Sequence, residues 1–67
     1  MQLLRLDQVV AKTSLSFPTI YRKMREEHNP FPKQIHLSKN RVGWIEAEVD
    51  AWLMARAEEQ RREMANA

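Results

Sequence analysis

The stretch Asp7–Arg25, DQVVAKTSLSFPTIYRKMR, predicts the fold because it reads as two short helices joined by a polar turn. Asp7 is a favoured N-cap, since its carboxylate can accept hydrogen bonds from the free N–H groups of a first helical turn. The first helix is therefore expected over residues 8 to 12 or 13, with Val9 and Val10 turned inward. Leu15 is the one apolar residue of the turn, and we expect it to fill the space between the two helices.

The second helix is expected over Phe17–Glu27, with Ser16 as its N-cap. Pro18 is tolerated in the first turn because its missing N–H has no intrahelical partner there. Ile20 and Met24 are four residues apart and form the buried stripe, and Phe17 could lie at its edge. The opposite face is polar and basic, carrying Thr19, Arg22, Lys23 and Arg25. Two helices arranged in this way are typical of a helix-turn-helix unit.

A β-hairpin is expected next. Two prolines within residues 28–32 exclude a continued helix. Apolar side chains then alternate with polar ones in two short runs, on one face of each run: Ile35 with Leu37, then Val42 with Trp44. The polar residues 38–40 between the runs predict the hairpin turn.

A last helix is expected from about Glu46, whose carboxylate suits the positive N-terminal end of a helix. Its apolar stripe recurs at helical spacing in Val49, Trp52 and Leu53. The expected fold class is mainly α with a small β-hairpin, in the helix-helix-wing-helix order of a winged helix-turn-helix. Residues 1–56 would form this DNA-binding domain, and residues 57–67 a solvated helical or frayed tail.

Composition excludes several classes of protein. The 67 residues include no cysteine, so disulfides and thiolate zinc sites are absent and the thin core must rest on apolar packing. No signal peptide or membrane-spanning run is visible, so a cytoplasmic protein without a membrane partner is expected. Neither histidine has metal-ligand spacing, and a single glycine allows no phosphate loop. We therefore expect no enzyme activity, cofactor, metal or small-molecule ligand.

The charge is unevenly distributed along the chain. The net charge is only +2, yet Lys12–Arg41 holds seven basic and two acidic residues, a balance of +5, and residues 46–67 hold three basic and six acidic residues, a balance of −3. A cationic block of this kind is expected of a nucleic-acid-binding surface. On charge alone, an ordinary solvated surface remains an equal alternative.

Candidate DNA-binding residues follow from this arrangement, because a helix fits the major groove and offers short polar side chains to base edges. The groove-facing set is Ser16, Thr19 and Arg22, with Tyr21 and Arg25 beside them. At the start of the helix, Phe17 and Pro18 are placed to contact thymine methyl groups. The hairpin set, which would reach the adjacent backbone or minor groove, is Lys33, Gln34, His36, Lys39, Asn40 and Arg41.

Each candidate also has a purely structural explanation. Tyr21 could pack at the edge of the core, and His36 could be a solvent-facing strand residue without a chemical role. The two arginines of the second helix could be ordinary surface residues, paired with Glu26 or Asp50.

Two segments, LLRLDQVVAKTSLSFPTIYRKM and FPKQIHLSKNRVGWIEAEVDAWL, resemble the AlpA family of phage and genomic-island regulators over about Leu3–Arg56. These are small winged-helix proteins, distantly akin to the DNA-binding domains of MerR regulators and phage excisionases. The chain departs from the family where Ser14 and Ser38 replace usual glycines. It also has Phe17-Pro18 in place of a more polar pair, and Ala47 in place of a frequent serine.

The resemblance implies binding to double-stranded DNA, as a transcriptional regulator, as an excisionase (a recombination directionality factor), or as both. Because no dimerisation helix is visible, a monomeric module would need adjacent copies of itself on DNA, a partner integrase, or both. A competing hypothesis is a small protein-interaction adaptor that uses the third helix and the acidic tail.

Overall fold

Three helices and three short strands make up the protein, as shown by a computed structural model that describes residues 2–65. Their order is β1 (Leu3–Leu4), α1 (Leu6–Thr13), α2 (Phe17–Met24), β2 (Ile35–Ser38), β3 (Arg41–Ile45) and α3 (Glu46–Ala65). The strands form one antiparallel sheet in the order β1-β3-β2. The arrangement is compatible with a small helix-turn-helix domain, and the mainly α prediction is confirmed. The sheet, however, has three strands where a two-stranded hairpin was expected.

The added strand, β1, lies on the free side of β3. Leu3 pairs with Ile45 and Leu4 pairs with Trp44, and the Glu46 N–H donates to the Gln2 carbonyl at 2.9 Å. Two residues are too short to show alternation, so the sequence alone does not predict this strand. The pairing makes β3 the central strand of the sheet.

The start of α1 also differs from the prediction. Asp7 is not the N-cap; it lies in the first turn of the helix, which begins at Leu6 after an extended Arg5. Gln8 reaches back so that its Oε1 accepts the Arg5 N–H at 2.8 Å. The helix begins earlier because β1 delivers an extended chain directly to Leu6, which turns toward the core.

The turn between α1 and α2 passes through the left-handed region at Ser14, with φ of 60°. The Ser14 N–H donates to the Val10 carbonyl at 2.8 Å, and the Thr13 hydroxyl donates to the Val9 carbonyl at 2.8 Å. The same hydroxyl accepts the Leu15 N–H at 3.2 Å. Leu15 is half-buried and packs against the core, as the sequence predicted.

The second helix ends at Met24, three residues before the predicted end at Glu27. The chain turns back after Met24, and the Phe31 N–H donates to the Lys23 carbonyl at 3.0 Å. Lys33 Nζ donates to the Met24 carbonyl at 3.4 Å. The early end lets Phe31 enter the core, where only 1% of it is exposed.

The core is small and draws on every helix, on β1 and β3, and on the loop that contains Phe31, but not on β2. Its fully buried side chains are Val9, Ile20, Phe31, Trp44 and Val49. Trp44 donates from Nε1 to the Pro32 carbonyl at 3.1 Å, which satisfies its polar atom. Trp52 of α3 is only half-buried, lies edge-on to Phe31 with ring centroids 4.9 Å apart, and donates from Nε1 to the Asn29 carbonyl at 3.2 Å.

The β2–β3 hairpin turns at Lys39-Asn40, and the register places Ile35 opposite Gly43. Ile35 and Leu37 therefore lie on the sheet face opposite Trp44, and they are 37% and 48% exposed. Leu37 covers Gly43 so closely that a Cβ there would lie 3.1 Å from the Leu37 Cδ1. Each pair of alternating apolar residues shares a face within its strand, but the two pairs lie on opposite faces of the sheet.

The long helix α3 is joined to α1 by Lys12, whose Nζ lies 2.7 Å from Asp50 and 3.4 Å from Glu46. The hydrogen bond to Asp50 raises the pKa of Lys12 above its ordinary value, so this cation stays charged and paired. The helix continues through residues 57–65 of the predicted tail, most of them exposed, and residues 66 and 67 lie outside the described part. No helix within residues 2–65 is long and apolar enough to cross a membrane.

The strained turn gives a stability prediction. A non-glycine residue in the left-handed region costs about 1–2 kcal/mol, and glycine removes that cost. Glycine also makes the unfolded chain more flexible, which offsets part of the gain in stability. We therefore expect Ser14→Gly to raise the free energy of unfolding by about 0.5–1 kcal/mol in thermal or urea unfolding.

The matched control is Ser38→Gly, because Ser38 lies in a strand and its φ is not positive. Glycine in a strand weakens it, so this variant should be less stable by about 0.5 kcal/mol. Equal effects of the two substitutions, or a loss of stability at Ser14, would contradict a strained turn.

Candidate nucleic-acid interface

The outer surface of α2 carries the groove-facing residues predicted from sequence. Because Ile20 is fully buried, the opposite side of this eight-residue helix faces solvent. Thr19 and Tyr21 are half-buried, whereas the exposed members are Ser16, Phe17, Pro18, Arg22 and Arg25. The exposed side chains are therefore free to meet a partner at the helix surface.

The helix begins at the predicted N-cap, but the cap differs from the expected one. Ser16 has the extended backbone of an N-cap and its carbonyl accepts the Ile20 N–H at 3.0 Å. Its hydroxyl does not bind a first-turn N–H and instead lies 2.8 Å from the Thr19 hydroxyl. The two hydroxyls are thus hydrogen-bonded to each other at the solvent-facing start of the helix, and each is a group that can donate and accept hydrogen bonds.

Within the described part of the chain, Arg22 and Arg25 are not paired with acidic side chains. The carboxylates that could have neutralised them are bound elsewhere, since Glu26 lies 3.8 Å from Lys23 and Asp50 lies 2.7 Å from Lys12. Among residues 2–65, neither arginine forms an ion pair, so the suggested pairing with Glu26 or Asp50 is absent. Both arginine residues are exposed.

Tyr21 connects α2 to the segment that leads into the hairpin. Its hydroxyl donates to Gln34 Oε1 at 2.8 Å, and its ring lies edge-on to Trp44 with centroids 6.5 Å apart. The centroid of the Phe17 ring lies 4.7 Å from the centroid of the Tyr21 ring. The structure therefore places Tyr21 at the edge of the core, where it fixes Gln34 next to the helix. The amide NH₂ of Gln34 is still a donor available to another partner.

The remaining candidates lie on the hairpin and just before it. Lys39 and Asn40 form the turn, Arg41 begins β3, and all three are exposed. His36 is exposed opposite Val42 in β2, consistent with a solvent-facing strand residue. Lys33, through its bond to the end of α2, lies where the helix and the hairpin segment meet.

The cationic block of the sequence resolves into two groups in the structure. Lys12 and Lys23 are paired with carboxylates. Within the described part of the chain, no carboxylate pairs with the other five cations of the block, which are Arg22, Arg25, Lys33, Lys39 and Arg41. These five lie on α2, at its C-cap, or on the hairpin segment, and the Tyr21–Gln34 and Lys33–Met24 hydrogen bonds join the helix to that segment.

One cation near the hairpin was missed from sequence. Arg5 lines a groove of about 610 Å³ together with Asn40 and Arg41. It lies among the leucines of the N-terminal segment, outside the cationic block, so only the position of β1 beside β3 reveals it. Its partner at 3.7 Å is the exposed Asp7, and exposed ion pairs of this kind are weak. Arg5 is thus a further positive charge at the edge of the hairpin.

The arrangement supplies exposed guanidinium, ammonium, hydroxyl and amide groups with two exposed apolar residues at the helix start. Such groups bind phosphates and base edges by ionic and hydrogen-bond contacts. Among residues 2–65, no three His, Cys, Asp or Glu side chains are grouped so that they could hold a metal ion.

Comparison with known proteins places this chain among phage-related regulators. The family profile described as "Prophage CP4-57 regulatory protein (AlpA)" matches residues 2–57. The chain is 42% identical over 59 residues to the "DNA-binding transcriptional activator AlpA" of Escherichia coli (strain K12), covering 82% of this chain and 84% of that protein.

A second relative is the "Uncharacterized protein ORF88" of Enterobacteria phage P4, 36% identical over 59 residues, which span 88% of this chain and 65% of that protein. No solved structure matches the chain. Because the profile and the first relative both span most of the sequence, the resemblance noted in the residues is confirmed, and the chain belongs to the AlpA family of prophage regulatory proteins.

Proposed function

We propose that the protein is a sequence-specific regulator that binds double-stranded DNA as a winged helix-turn-helix. Helix α2 would enter the major groove, and the β2–β3 hairpin would act as the wing on the adjacent backbone or minor groove. The observation that carries the proposal is the set of five cations on or directly beside these two elements that have no carboxylate partner in residues 2–65. The description of the Escherichia coli relative as a DNA-binding activator supports it.

The two parts of the surface would have different tasks. Arg22 suits base reading because a guanidinium can donate two hydrogen bonds to guanine, and the Ser16–Thr19 hydroxyls can bind either a base or a phosphate. Arg25 and the cations before and within the hairpin suit phosphates, which fix the register of the protein on DNA without reading sequence. Tyr21 would hold Gln34 in place beside the helix.

The regulatory output would be transcriptional control, as the name of the Escherichia coli relative suggests, or excision of a mobile element, or both. A single module of this kind buries only about 600–1,000 Å² of its surface on DNA, which limits its affinity. Adjacent copies on the DNA, or an integrase, would supply the remaining binding energy. The proposed place of action is the cytoplasm.

A protein-interaction adaptor is the second candidate, and the exposed methionines of α3 favour it. Met54 is 65% exposed and Met64 is 78% exposed on a helix whose second half extends beyond the core. Methionines on a surface are adaptable contacts for partner proteins. This hypothesis requires that loss of residues 57–67 abolishes function and that loss of the Arg22 side chain does not.

Replacement of Arg22 tests the major-groove assignment. We expect Arg22→Ala to weaken specific DNA binding by about 1–3 kcal/mol and to relax sequence preference at one position, because a bidentate base contact is lost. Affinity and preference would be measured by fluorescence anisotropy on a selected duplex and its single-base variants.

The control is Arg62→Ala, which removes an exposed arginine from α3 and leaves the interface unchanged. Equal affinities of wild type and Arg22→Ala would remove α2 from the interface and favour the adaptor.

The hairpin cations give a separate prediction. The double variant Lys39→Ala with Arg41→Ala should lower affinity about equally on all DNA sequences, because phosphate contacts carry no sequence information. The slope of log K against log salt should become shallower by about 2, since each lost phosphate contact reduces it by about 1. An effect confined to one DNA sequence would mean that the hairpin reads bases, and an unchanged slope would exclude it from phosphate contact.

A further inference from the structure

An exposed aromatic ring stands at the start of the proposed recognition helix. Phe17 is the first residue of α2 and is 50% exposed, with the exposed Pro18 next to it. The entry of the chain into the helix does not need this ring. A hydrophobic staple joins the residue before the N-cap to the fourth helical residue, and Leu15 and Ile20 hold those positions in the core.

The Phe17 ring packs against Tyr21. Its centroid lies 4.7 Å from that of Tyr21, at 39° between the ring planes. Tyr21 is in turn fixed by its hydrogen bond to Gln34 and by edge-on packing against the fully buried Trp44. The exposed side of Phe17 is therefore a positioned apolar surface, because its support is anchored in the core.

Polar groups suited to base edges share the first two turns of α2 with the ring. The Ser16–Thr19 hydroxyl pair lies at the start of the helix, and Arg22, which has no ion pair within residues 2–65, follows in the second turn. Only one apolar group is presented by base pairs in the major groove, and it is the 5-methyl group of thymine. An exposed apolar ring on the same helix as these polar side chains has that methyl group as its matching partner.

We propose that Phe17 is a specificity-determining residue that reads the 5-methyl group of thymine, with Pro18 restricting the helix start beside it. The inference rests on the proposed function, because it requires α2 to lie in the major groove. It adds the chemical identity of one position in the DNA site: a thymine is bound there through its methyl group.

The test removes the methyl group from the DNA and the ring from the protein. A duplex selected from a randomised library by the wild-type protein is synthesised with thymine and, one position at a time, with uracil, which lacks only the methyl group. Dissociation constants are measured at fixed salt for the wild type, Phe17→Ala and Phe17→Leu. Met54→Ala is the matched control, because it truncates an exposed apolar residue of α3.

We expect uracil at one position to weaken wild-type and Met54→Ala binding by about fourfold, the effect of one apolar carbon group. At that position Phe17→Ala should bind thymine and uracil duplexes equally, and Phe17→Leu should keep part of the difference. Since Phe17 is half-exposed, both variants should remain folded, which thermal unfolding checks.

Two results would overturn the inference while leaving DNA binding intact. In one, no uracil substitution weakens the wild type; in the other, Phe17→Ala still distinguishes thymine from uracil. Failure of the wild type to select any duplex, together with an affinity for random DNA that Arg22→Ala does not change, would overturn the proposed function and this inference with it.

Discussion

The burial of Trp44 is the constraint on which the rest of this structure depends. Trp44 lies in the central strand, is fully buried, and pairs with Leu4 of β1. Its indole N–H binds the Pro32 carbonyl, which fixes the loop between α2 and the hairpin, and its ring packs against Tyr21. In a 67-residue chain without cysteine, few other interactions can hold α2 at a set distance from the hairpin.

Local patterns were enough to predict the three helices, the hairpin and most core positions, because helical spacing and alternation are visible in short segments. They could not predict what depends on distant residues. The two residues of β1 form a strand only because Trp44 and Ile45 are there to pair with them. Phe31 becomes a core residue only because α2 ends early, and the hairpin register, with a shift between His36 and Ser38, decides which apolar residues face solvent.

For the candidate interface, the sequence predicted which residues are cationic but not which cations are free. Lys12 and Arg22 are both basic residues of the cationic block, and the sequence does not distinguish them. In the structure Lys12 is paired with two carboxylates of α3, whereas Arg22 is paired with none among residues 2–65. The link between Tyr21 and Gln34 was equally invisible, since the two residues are 13 apart in the chain. The structure therefore divides the cationic residues into those paired with a carboxylate within residues 2–65 and those without such a partner there.

The central claim, that α2 and the hairpin form one DNA-binding surface, is tested most directly by a backbone amide NMR titration. The probe is a duplex of about two helical turns, roughly 20 base pairs, added at about 50 mM and then about 200 mM salt. We predict that the amide chemical-shift changes cluster on residues 16–25 and 33–41, and that binding weakens steeply as the salt concentration rises. Shifts confined to residues 49–64, or none at low salt, would contradict it.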